Sequence, residues 1–337
     1  MSTPASAWSK INAPKTDAST TNELSDAHLR EFAAEVRADL SKPRKELHSK
    51  YLYDELGSAL FEAITRLPEY GLTRADERLL RSHAAEIARL IPTSAVIELG
   101  SGTGEKTRHV LSALNRSHSK PRYVPIDVSP KALARCRSDL ADVAEVHPLA
   151  QSYLDGMASA VGARSNDEPL LVLFLGSTIG NFERRCAEEF LRALRRTLRP
   201  GDALLIGADL VKDRDQMLRA YDDSIGLTAA FNLNLLERIN RELGGDFNPR
   251  NFEHQARWNQ AERRIEMHLR SRLEHTVLIR EIAFTVPFQA GETIWTESSH
   301  KFLPHELPEM AGRTGFRAEV HWVDREWPFV ESLWLAT

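Results

Sequence analysis

The chain has 337 residues, of which 42% are hydrophobic and 27% charged, an ordinary globular composition. Its formal charge of -4 lacks the basic excess that usually accompanies nucleic-acid binding. The apolar run at residues 170–175 is too short to cross a bilayer, and residues 1–18 contain no apolar signal region. We therefore expect a cytoplasmic protein without nucleic-acid or membrane partners.

The sequence offers no pattern of metal ligands. Cys136 and Cys186 are far apart and lack metal-binding spacing, and His305 and Glu306 do not complete an H-E-x-x-H motif. We predict neither a disulfide framework nor a metal site.

The N-terminal part is predicted to be a disordered tail followed by helices. Residues 1–25 are polar and aperiodic, and a helix is expected from about Ser25. A second helix is predicted from Asp54, which can cap it, to Leu67 before Pro68. A third has its apolar face between residues 79 and 90.

From Ser94 onward, short apolar strands alternate with helices, which predicts a parallel sheet with right-handed crossovers. The predicted strands are 95–99, 123–126, a weak one around 146, 170–175 and 203–208. The predicted helices between them are 106–114, 130–140 and 185–198.

After residue 212 this alternation stops, which indicates an inserted lobe. Helices are predicted at 213–221, 228–243 and 307–311, and strands at 264–273, 275–286, 292–302, 317–323 and 329–336. The last two strands resemble the closing antiparallel hairpin of a methyltransferase sheet. We assign residues 26–73 and 212–299 to a substrate-binding lobe, and 74–211 and 300–337 to a cofactor-binding core.

The strongest motif is a glycine loop at a predicted strand-to-helix junction. Glu98, Gly100, Gly102 and Gly104 form the spacing E-x-G-x-G-x-G. A dinucleotide-binding loop would place its third glycine at position 105, where Glu105 would repel a pyrophosphate. The pattern instead resembles motif I of class I S-adenosylmethionine (SAM)-dependent methyltransferases, whose ligand carries no phosphate. The alternative is a structural turn that binds no ligand.

Asp127 ends the next predicted strand, where a carboxylate can accept hydrogen bonds from both ribose hydroxyls of a nucleotide. The alternative is that Asp127 caps the following helix. Ser129, directly before Pro130, suits that cap better and would leave Asp127 to the ligand.

The segment 176–181, GSTIGN, follows the most apolar strand and should lie at the ligand-binding edge of the sheet. It differs from the Asn-Pro-Pro-Tyr loop of nucleic-acid amino methyltransferases. Asn181 can both donate and accept, as an amino-acid ligand requires, although Gly180-Asn181 also suits a simple turn.

A second candidate ligand site lies in the inserted lobe. Glu297 and Ser299 share one face of a predicted strand. An acid beside a hydroxyl suits the two nitrogens of an imidazole, although such a pair can also simply face solvent.

Together these segments resemble the histidine Nα-methyltransferases of the ergothioneine pathway, from about Lys50 to the C-terminus. The matching segments are 53–58, 67–70, 98–107, 123–129, 175–181, 209–213, 220–223, 264–267 and 296–302. The resemblance implies an α/β class I methyltransferase (Rossmann-like) sheet with an inserted α+β substrate-binding lobe. It also implies an enzyme that methylates the amine of free histidine three times, to hercynine.

The resemblance assigns residues to two ligands. S-adenosyl-L-methionine is assigned Glu98, Gly100, Ser101, Gly102, Lys106, Asp127, Ser152 and Tyr153. The backbone groups of the amino acid are assigned Tyr70, Gly176, Asn181 and Tyr221, of which Tyr70 and Asn181 are the expected catalytic residues. The imidazole is assigned Tyr53, Met267, Glu297 and Ser299.

The sequence departs from the family pattern in two places. Gly71-Leu72 replaces a Tyr-Pro pair after Tyr70, and Ser152-Tyr153 replaces an Asp-Phe pair near the adenine. Two other functions remain open: an Nα-methyltransferase of another amino acid, of tryptophan or tyrosine type, and a non-catalytic binding protein with the same fold. The oligomeric state is left open as well.

Overall fold

The computed structural model describes residues 18–117, 120–164 and 169–337. The described chain falls into two compact units. One consists of Leu72–Val211 and His300–Thr337, and the other of the chain up to Gly71 together with Lys212–Ser299. Sequence reasoning placed the first boundary at residue 74. The assignment of one unit to the cofactor and the other to the substrate stays a prediction.

The helices and strands are numbered in chain order. The first are α1 (Ala18–Leu40), α2 (Glu55–Ile64), α3 (Gly71–Leu90), β1 (Ala95–Leu99), α4 (Arg108–Ser117), β2 (Arg122–Asp127), α5 (Pro130–Leu140), β3 (Glu145–Val146), β4 (Leu149–Ala150) and α6 (Tyr153–Gly162). The remainder are β5 (Leu171–Phe174), α7 (Arg184–Thr197), β6 (Ala203–Asp209), α8 (Arg214–Tyr221), α9 (Leu227–Leu243), β7 (Phe252–Asn259), β8 (Arg264–Ser271), β9 (His275–Ile279), β10 (Phe284–Phe288), β11 (Thr293–His300), α10 (Glu306–Thr314), β12 (Phe316–Val323) and β13 (Phe329–Ala336).

The first unit is built on one eight-stranded sheet with the order β12-β13-β6-β5-β1-β2-β3, in which β4 also pairs with β2. Strands β2, β1, β5 and β6 are parallel. Strand β13 runs antiparallel to both β6 and β12. This is the α/β fold of class I methyltransferases, and the predicted closing hairpin is confirmed.

Strands β1, β5 and β6 are buried at every residue, as expected for parallel strands covered on both faces. Their continuous apolar character is what predicted them. The parallel strands end at one edge of the sheet, so the glycine loop after β1, Asp127 at the end of β2 and the loop after β5 all belong to that edge.

The second unit contains α1, α2, α8 and α9, a three-stranded sheet of order β11-β8-β7, and a two-stranded sheet of β9 and β10. Helix α9 packs on β7, β8 and α2. The predicted cap of α2 is confirmed, because the Asp54 carboxylate accepts a hydrogen bond from the Gly57 amide at 2.7 Å.

Several elements differ from the sequence prediction. Helix α1 begins at Ala18 rather than near Ser25; residues 1–17 of the predicted tail lie outside the described residues. The predicted strand 275–286 is a hairpin of β9 and β10, because a turn at 280–283 places Ala283 at a φ of 44°. Strand β7 was not predicted, since its half-buried residues are largely polar and show no apolar alternation.

Candidate active site

The glycine loop of the first unit depends on backbone conformations that favour glycine. Gly100, Gly102 and Gly104 have φ values of 71°, 51° and 69°. A Cβ atom at Gly104 would lie 2.8 Å from Cys136 Sγ and from Leu140 Cδ1, whereas one at Gly102 would meet nothing within 4 Å. Gly104 therefore closes the loop onto α5, and Gly102 leaves the backbone open to a ligand.

Asp127 holds the glycine loop in place. Its Oδ2 atom accepts a hydrogen bond from the Gly102 amide, and its Oδ1 atom accepts one from the Ser129 amide, both at 2.9 Å. The predicted cap of α5 is confirmed, since Ser129 Oγ accepts from the Ala132 amide at 3.3 Å. A carboxylate has about four acceptor positions, so the half-buried Asp127 keeps capacity for ribose hydroxyls.

The side-chain oxygen of Ser101 is available to bind a ligand. Its side-chain oxygen is buried, and the described part of the chain provides it with no hydrogen-bond partner. Buried hydroxyls in folded proteins are normally paired. An open backbone at Gly102, this hydroxyl and the Asp127 carboxylate fit the polar groups of S-adenosylmethionine.

Glu98 supports the loop from the interior of the unit. Its Oε2 atom accepts hydrogen bonds from the Tyr123 hydroxyl and, at 2.7 Å, from the Thr107 hydroxyl. Burial raises the pKa of Glu98 to about 7, against the opposing effect of these two hydrogen bonds. Glu98 therefore ties β1 to β2 and to the turn that precedes α4.

Lys106 belongs to a buried polar junction that sequence reasoning missed. Its ammonium group is bound to the carboxylate of Asp76, and the same Oδ2 atom of Asp76 accepts the Gly176 amide at 3.0 Å. Asp76 is fully buried on α3, between the buried Leu72 and Leu79. The sequence signal that could have revealed this junction is a charged residue, Asp76, between apolar residues on the buried face of α3.

Ser152 and Tyr153 begin helix α6, which the sequence did not predict. The exposed Ser152 caps the helix, and its hydroxyl donates to Asp155 Oδ2 at 2.6 Å. The Tyr153 hydroxyl lies 3.0 Å from the position of a Cβ atom at Gly100, and burial raises the pKa of Tyr153 to about 12. Tyr153 thus flanks the glycine loop, and the assignment of both residues to the adenine stays a prediction.

The loop after β5 is held tightly and leaves one amide side chain available. Gly176 and Ser177 have φ values of 70° and 59°, and Ser177 Oγ accepts from the Asp209 amide at 2.9 Å. A Cβ atom at Gly180 would lie 2.8 Å from the His300 carbonyl oxygen. Asn181 is half-buried, and within the described residues its carboxamide makes no hydrogen bond.

In the second unit, tyrosines and phenylalanines form an aromatic cluster. The Tyr221 hydroxyl lies 2.7 Å from Ser299 Oγ, and both residues are buried. The Tyr70 ring lies 6.0 Å from that of Tyr221, edge to face, and the Tyr53 ring lies 5.5 Å from that of Phe231. Four of the predicted substrate residues therefore lie in one unit, in or beside this aromatic cluster: Tyr53, Tyr70, Tyr221 and Ser299.

Glu297 and Met267 lie on β11 and β8, which are neighbours in the three-stranded sheet. Glu297 is 9% exposed and Met267 is 1% exposed. A solvent-facing role for Glu297 is therefore excluded. The Thr296 hydroxyl donates to the Met267 carbonyl oxygen at 3.0 Å, which ties the two strands together beside Glu297.

His254 is a further residue that sequence reasoning missed. Its Nε2 atom lies 2.7 Å from the Tyr221 carbonyl oxygen, which can only accept, so Nε2 carries the hydrogen. Its Nδ1 atom then accepts from Asn232 Nδ2 at 3.0 Å. Burial lowers the pKa of His254, which keeps this ring neutral. Because its strand, β7, was not predicted, no local pattern in the sequence indicates this contact.

Among the described residues there is neither a metal-binding cluster nor a membrane-spanning helix. In those parts of the chain, groups of three or more His, Cys, Asp or Glu side chains suited to a metal ion are absent. The helices among them are also too short or too polar to cross a membrane.

Comparisons with known proteins identify relatives of this chain. A family model described as "Histidine-specific methyltransferase, SAM-dependent" matches residues 32–336. The chain is 42% identical over 310 residues to the histidine N-alpha-methyltransferase of Mycolicibacterium smegmatis, covering 91% of this chain and 96% of that protein.

Two fungal proteins are more distant relatives. Ergothioneine biosynthesis protein 1 of Neurospora crassa is 37% identical over 203 residues, which cover 59% of this chain and 23% of that protein. The L-tryptophan methyltransferase of Psilocybe serbica is 29% identical over 334 residues, covering 90% of this chain and 91% of that protein. With its glycine loop, strand-end Asp127 and family match over almost the whole sequence, the chain belongs to the SAM-dependent histidine-specific methyltransferase family.

Proposed function

We propose that this protein transfers methyl groups from S-adenosylmethionine to the α-amino group of free L-histidine, forming the trimethylated betaine hercynine for ergothioneine biosynthesis. The assignment of histidine as the substrate rests mainly on the buried pair of Glu297 and Ser299 on β11. An acid beside a hydroxyl suits the two nitrogens of an imidazole. The names of the mycobacterial and Neurospora relatives support both the acceptor and the pathway. A cytoplasmic location is part of the proposal.

The residues that would hold the cofactor lie in the first unit. We assign the ribose to Asp127 and the open backbone face to Gly100 and Gly102, with the unpaired hydroxyl of Ser101 and the ammonium of Lys106 as further polar groups. When bound, the cofactor supplies an electrophilic methyl group on a sulfonium whose leaving thioether is neutral. The protein therefore does not have to activate the donor.

The main task of the protein is then to hold an amine nitrogen in line with the methyl group, since such positioning alone can supply most of a rate enhancement. We assign the amine and carboxylate of the amino acid to Asn181, Gly176, Tyr70 and Tyr221, as the family resemblance implies. The unbonded carboxamide of Asn181 supports this assignment, because it can both donate and accept.

The amine must be neutral to attack, so the rate should rise as the pH passes the pKa of the amino group. The loop 176–181 contains no histidine or lysine that could serve as a base, and we assign the proton to Tyr70 or to water. Repeated methylation further requires that binding depend little on the amine hydrogens, which are lost one by one.

A competition experiment tests the acceptor. The protein would be incubated with S-adenosylmethionine and equal concentrations of histidine, tyrosine and tryptophan, and the products separated by mass spectrometry. We expect S-adenosylhomocysteine and methylated histidine to appear together. Methylation of tryptophan or tyrosine with histidine untouched would refute the proposed substrate, while no turnover with cofactor binding retained would indicate a binding protein.

A further inference from the structure

We infer that Asp76 and Glu331 form a carboxylate–carboxylic acid pair that shares one proton, and that Asp76, oriented by this pair, positions Lys106 and the Gly176 amide for cofactor binding. The inference rests on the proposed function only through the cofactor and is independent of which amino acid is methylated. Asp76 is a positioning residue, because it acts through Lys106 and Gly176.

Asp76 joins three segments of the first unit. It lies on α3 with 0% exposure, and its Oδ2 atom accepts hydrogen bonds from the Lys106 ammonium and from the Gly176 amide at 3.0 Å. Lys106 follows the glycine loop, and Gly176 opens the loop after β5. One buried carboxylate therefore fixes both loops that end at the ligand-binding edge of the sheet.

Glu331 lies on strand β13 and interacts with the side chain of Asp76. It is 1% exposed and pairs in register with Gly207 of β6. A Cβ atom at Gly207 would lie 2.5 Å from Glu331 Oε1, so the glycine makes room for this carboxyl group. A strand glycine is usually unfavourable, and here it is explained by the space that the buried acid needs.

The hydrogen bonds of the two carboxyl groups call for a shared proton. Asp76 Oδ1 and both oxygens of Glu331 are buried, and N–H and O–H donors of the described residues do not reach them. The side chains of Glu331 and Asp76 are instead within hydrogen-bonding reach of each other. Two carboxylates that face each other with no donor between them repel each other. One shared proton removes this repulsion and gives each carboxyl group a hydrogen-bond partner.

The charges around the pair decide which group holds the proton. Burial, followed by the charge of Asp76, raises the pKa of Glu331 well above its ordinary value. Asp76 Oδ2 already accepts from the Lys106 ammonium and the Gly176 amide, whereas the described residues offer neither oxygen of Glu331 an N–H or O–H donor. Glu331 is therefore the acid and donates to Asp76 Oδ1, and Asp76 accepts from three donors that together fix its orientation.

The variants Glu331→Gln and Asp76→Asn distinguish the roles of the two carboxyl groups in cofactor binding. Glutamine keeps the shape of the side chain and an N–H donor toward Asp76, so the affinity for S-adenosylhomocysteine should stay within about twofold of the wild type. Asp76→Asn removes the charge that holds Lys106, and its affinity should fall by about tenfold or more, since a lost hydrogen bond to a charged group has effects of that size. Calorimetric titration measures both.

Infrared difference spectroscopy tests the proton directly, without activity. At a pH well above 7, where Glu98 is ionised, the wild type should show the carbonyl band of a buried carboxylic acid, and Glu331→Gln should lack it. Glu319→Gln, which changes an exposed glutamate on β12, is the matched control and should keep both the band and the affinity.

The absence of the acid band from the wild type would overturn the inference. Loss of cofactor affinity in Glu331→Gln as large as in Asp76→Asn would overturn it as well. If Asp76→Asn does not fold, the band and the Glu331→Gln titration still decide. Neither readout involves an amino-acid acceptor, so the inference and the proposed substrate can fail separately.

Discussion

Asp127 Oδ2 accepts a hydrogen bond from the Gly102 amide at 2.9 Å, so the acid at the end of β2 also supports the glycine loop that follows β1. The two features that indicate a cofactor site in the sequence are therefore parts of one structure. A change at Asp127 should act on the cofactor twice, through its own contact and through the shape of the loop.

Asp127→Ala should weaken binding of S-adenosylhomocysteine by about tenfold or more, because a hydrogen bond to a charged group contributes about 1.5–3 kcal/mol. Ser129→Ala is the matched control. It removes the cap of α5 and should lower the free energy of unfolding by about 1 kcal/mol with little change in affinity. Calorimetric titration and chemical denaturation measure the two effects, and unchanged affinity in Asp127→Ala would argue against this ribose site.

Alanine at Gly102 and at Gly104 should have different consequences. Both positions have a positive φ, so each alanine should cost about 1–2 kcal/mol of stability. At Gly104 the added Cβ also meets Cys136 and Leu140, which should cost about 1–3 kcal/mol more. Urea denaturation compares them. Equal losses at the two glycines would contradict the packing described here.

Glu297→Ala should raise the KM for histidine by about tenfold or more, because the imidazole loses a charged hydrogen-bond partner in a buried setting. Cofactor affinity should change by less than about twofold, since Glu297 is not among the residues assigned to the cofactor. Glu262→Ala, an exposed change between β7 and β8, is the control for steady-state kinetics. Comparable losses for histidine and cofactor would mean that Glu297 is structural.

The hydroxyl pair of Tyr221 and Ser299 can be tested with a double-mutant cycle. Tyr221→Phe and Ser299→Ala should each lower the free energy of unfolding by about 1 kcal/mol, because each removes the hydrogen bond between the two buried hydroxyls. The double variant should lose less than the sum of the two. Strictly additive losses, measured by denaturation, would show that the 2.7 Å contact does not contribute to stability.

Glu98 predicts a pH dependence of stability. Its pKa rises from 4.5 to about 7 on folding, so the folded state holds this proton more tightly than the unfolded chain. The contribution of Glu98 is therefore greatest below pH 4.5 and declines until the pH reaches about 7. The stability of the wild type relative to Glu98→Gln should fall between these limits. A difference that is flat or rises with pH would be inconsistent with this assignment.

The sheet of the first unit was predictable because its strands are buried on both faces and appear as short apolar runs. The cap residues Asp54 and Ser129 were predictable because their signals are local. Strand β7 was not predictable, because its half-buried residues are largely polar. The hairpin of β9 and β10 was not predictable either, because a turn of only four residues hardly interrupts the strand pattern.

The candidate site follows the same rule. The glycine spacing and Asp127 could be predicted from the sequence because each belongs to a pattern within a short segment. Asp76, His254 and Glu331 act through partners that are distant in the chain, and a single sequence does not reveal such pairs.

The most direct test of the proposed reaction identifies the atom that is methylated. Histidine labelled with ¹⁵N at the α-position would be incubated with S-adenosylmethionine, and the product examined by mass spectrometry and nitrogen-resolved NMR. We predict a product with three added methyl groups, all bonded to the labelled nitrogen. Methyl groups on the imidazole ring, or histidine recovered unchanged while another amino acid is methylated, would contradict the account.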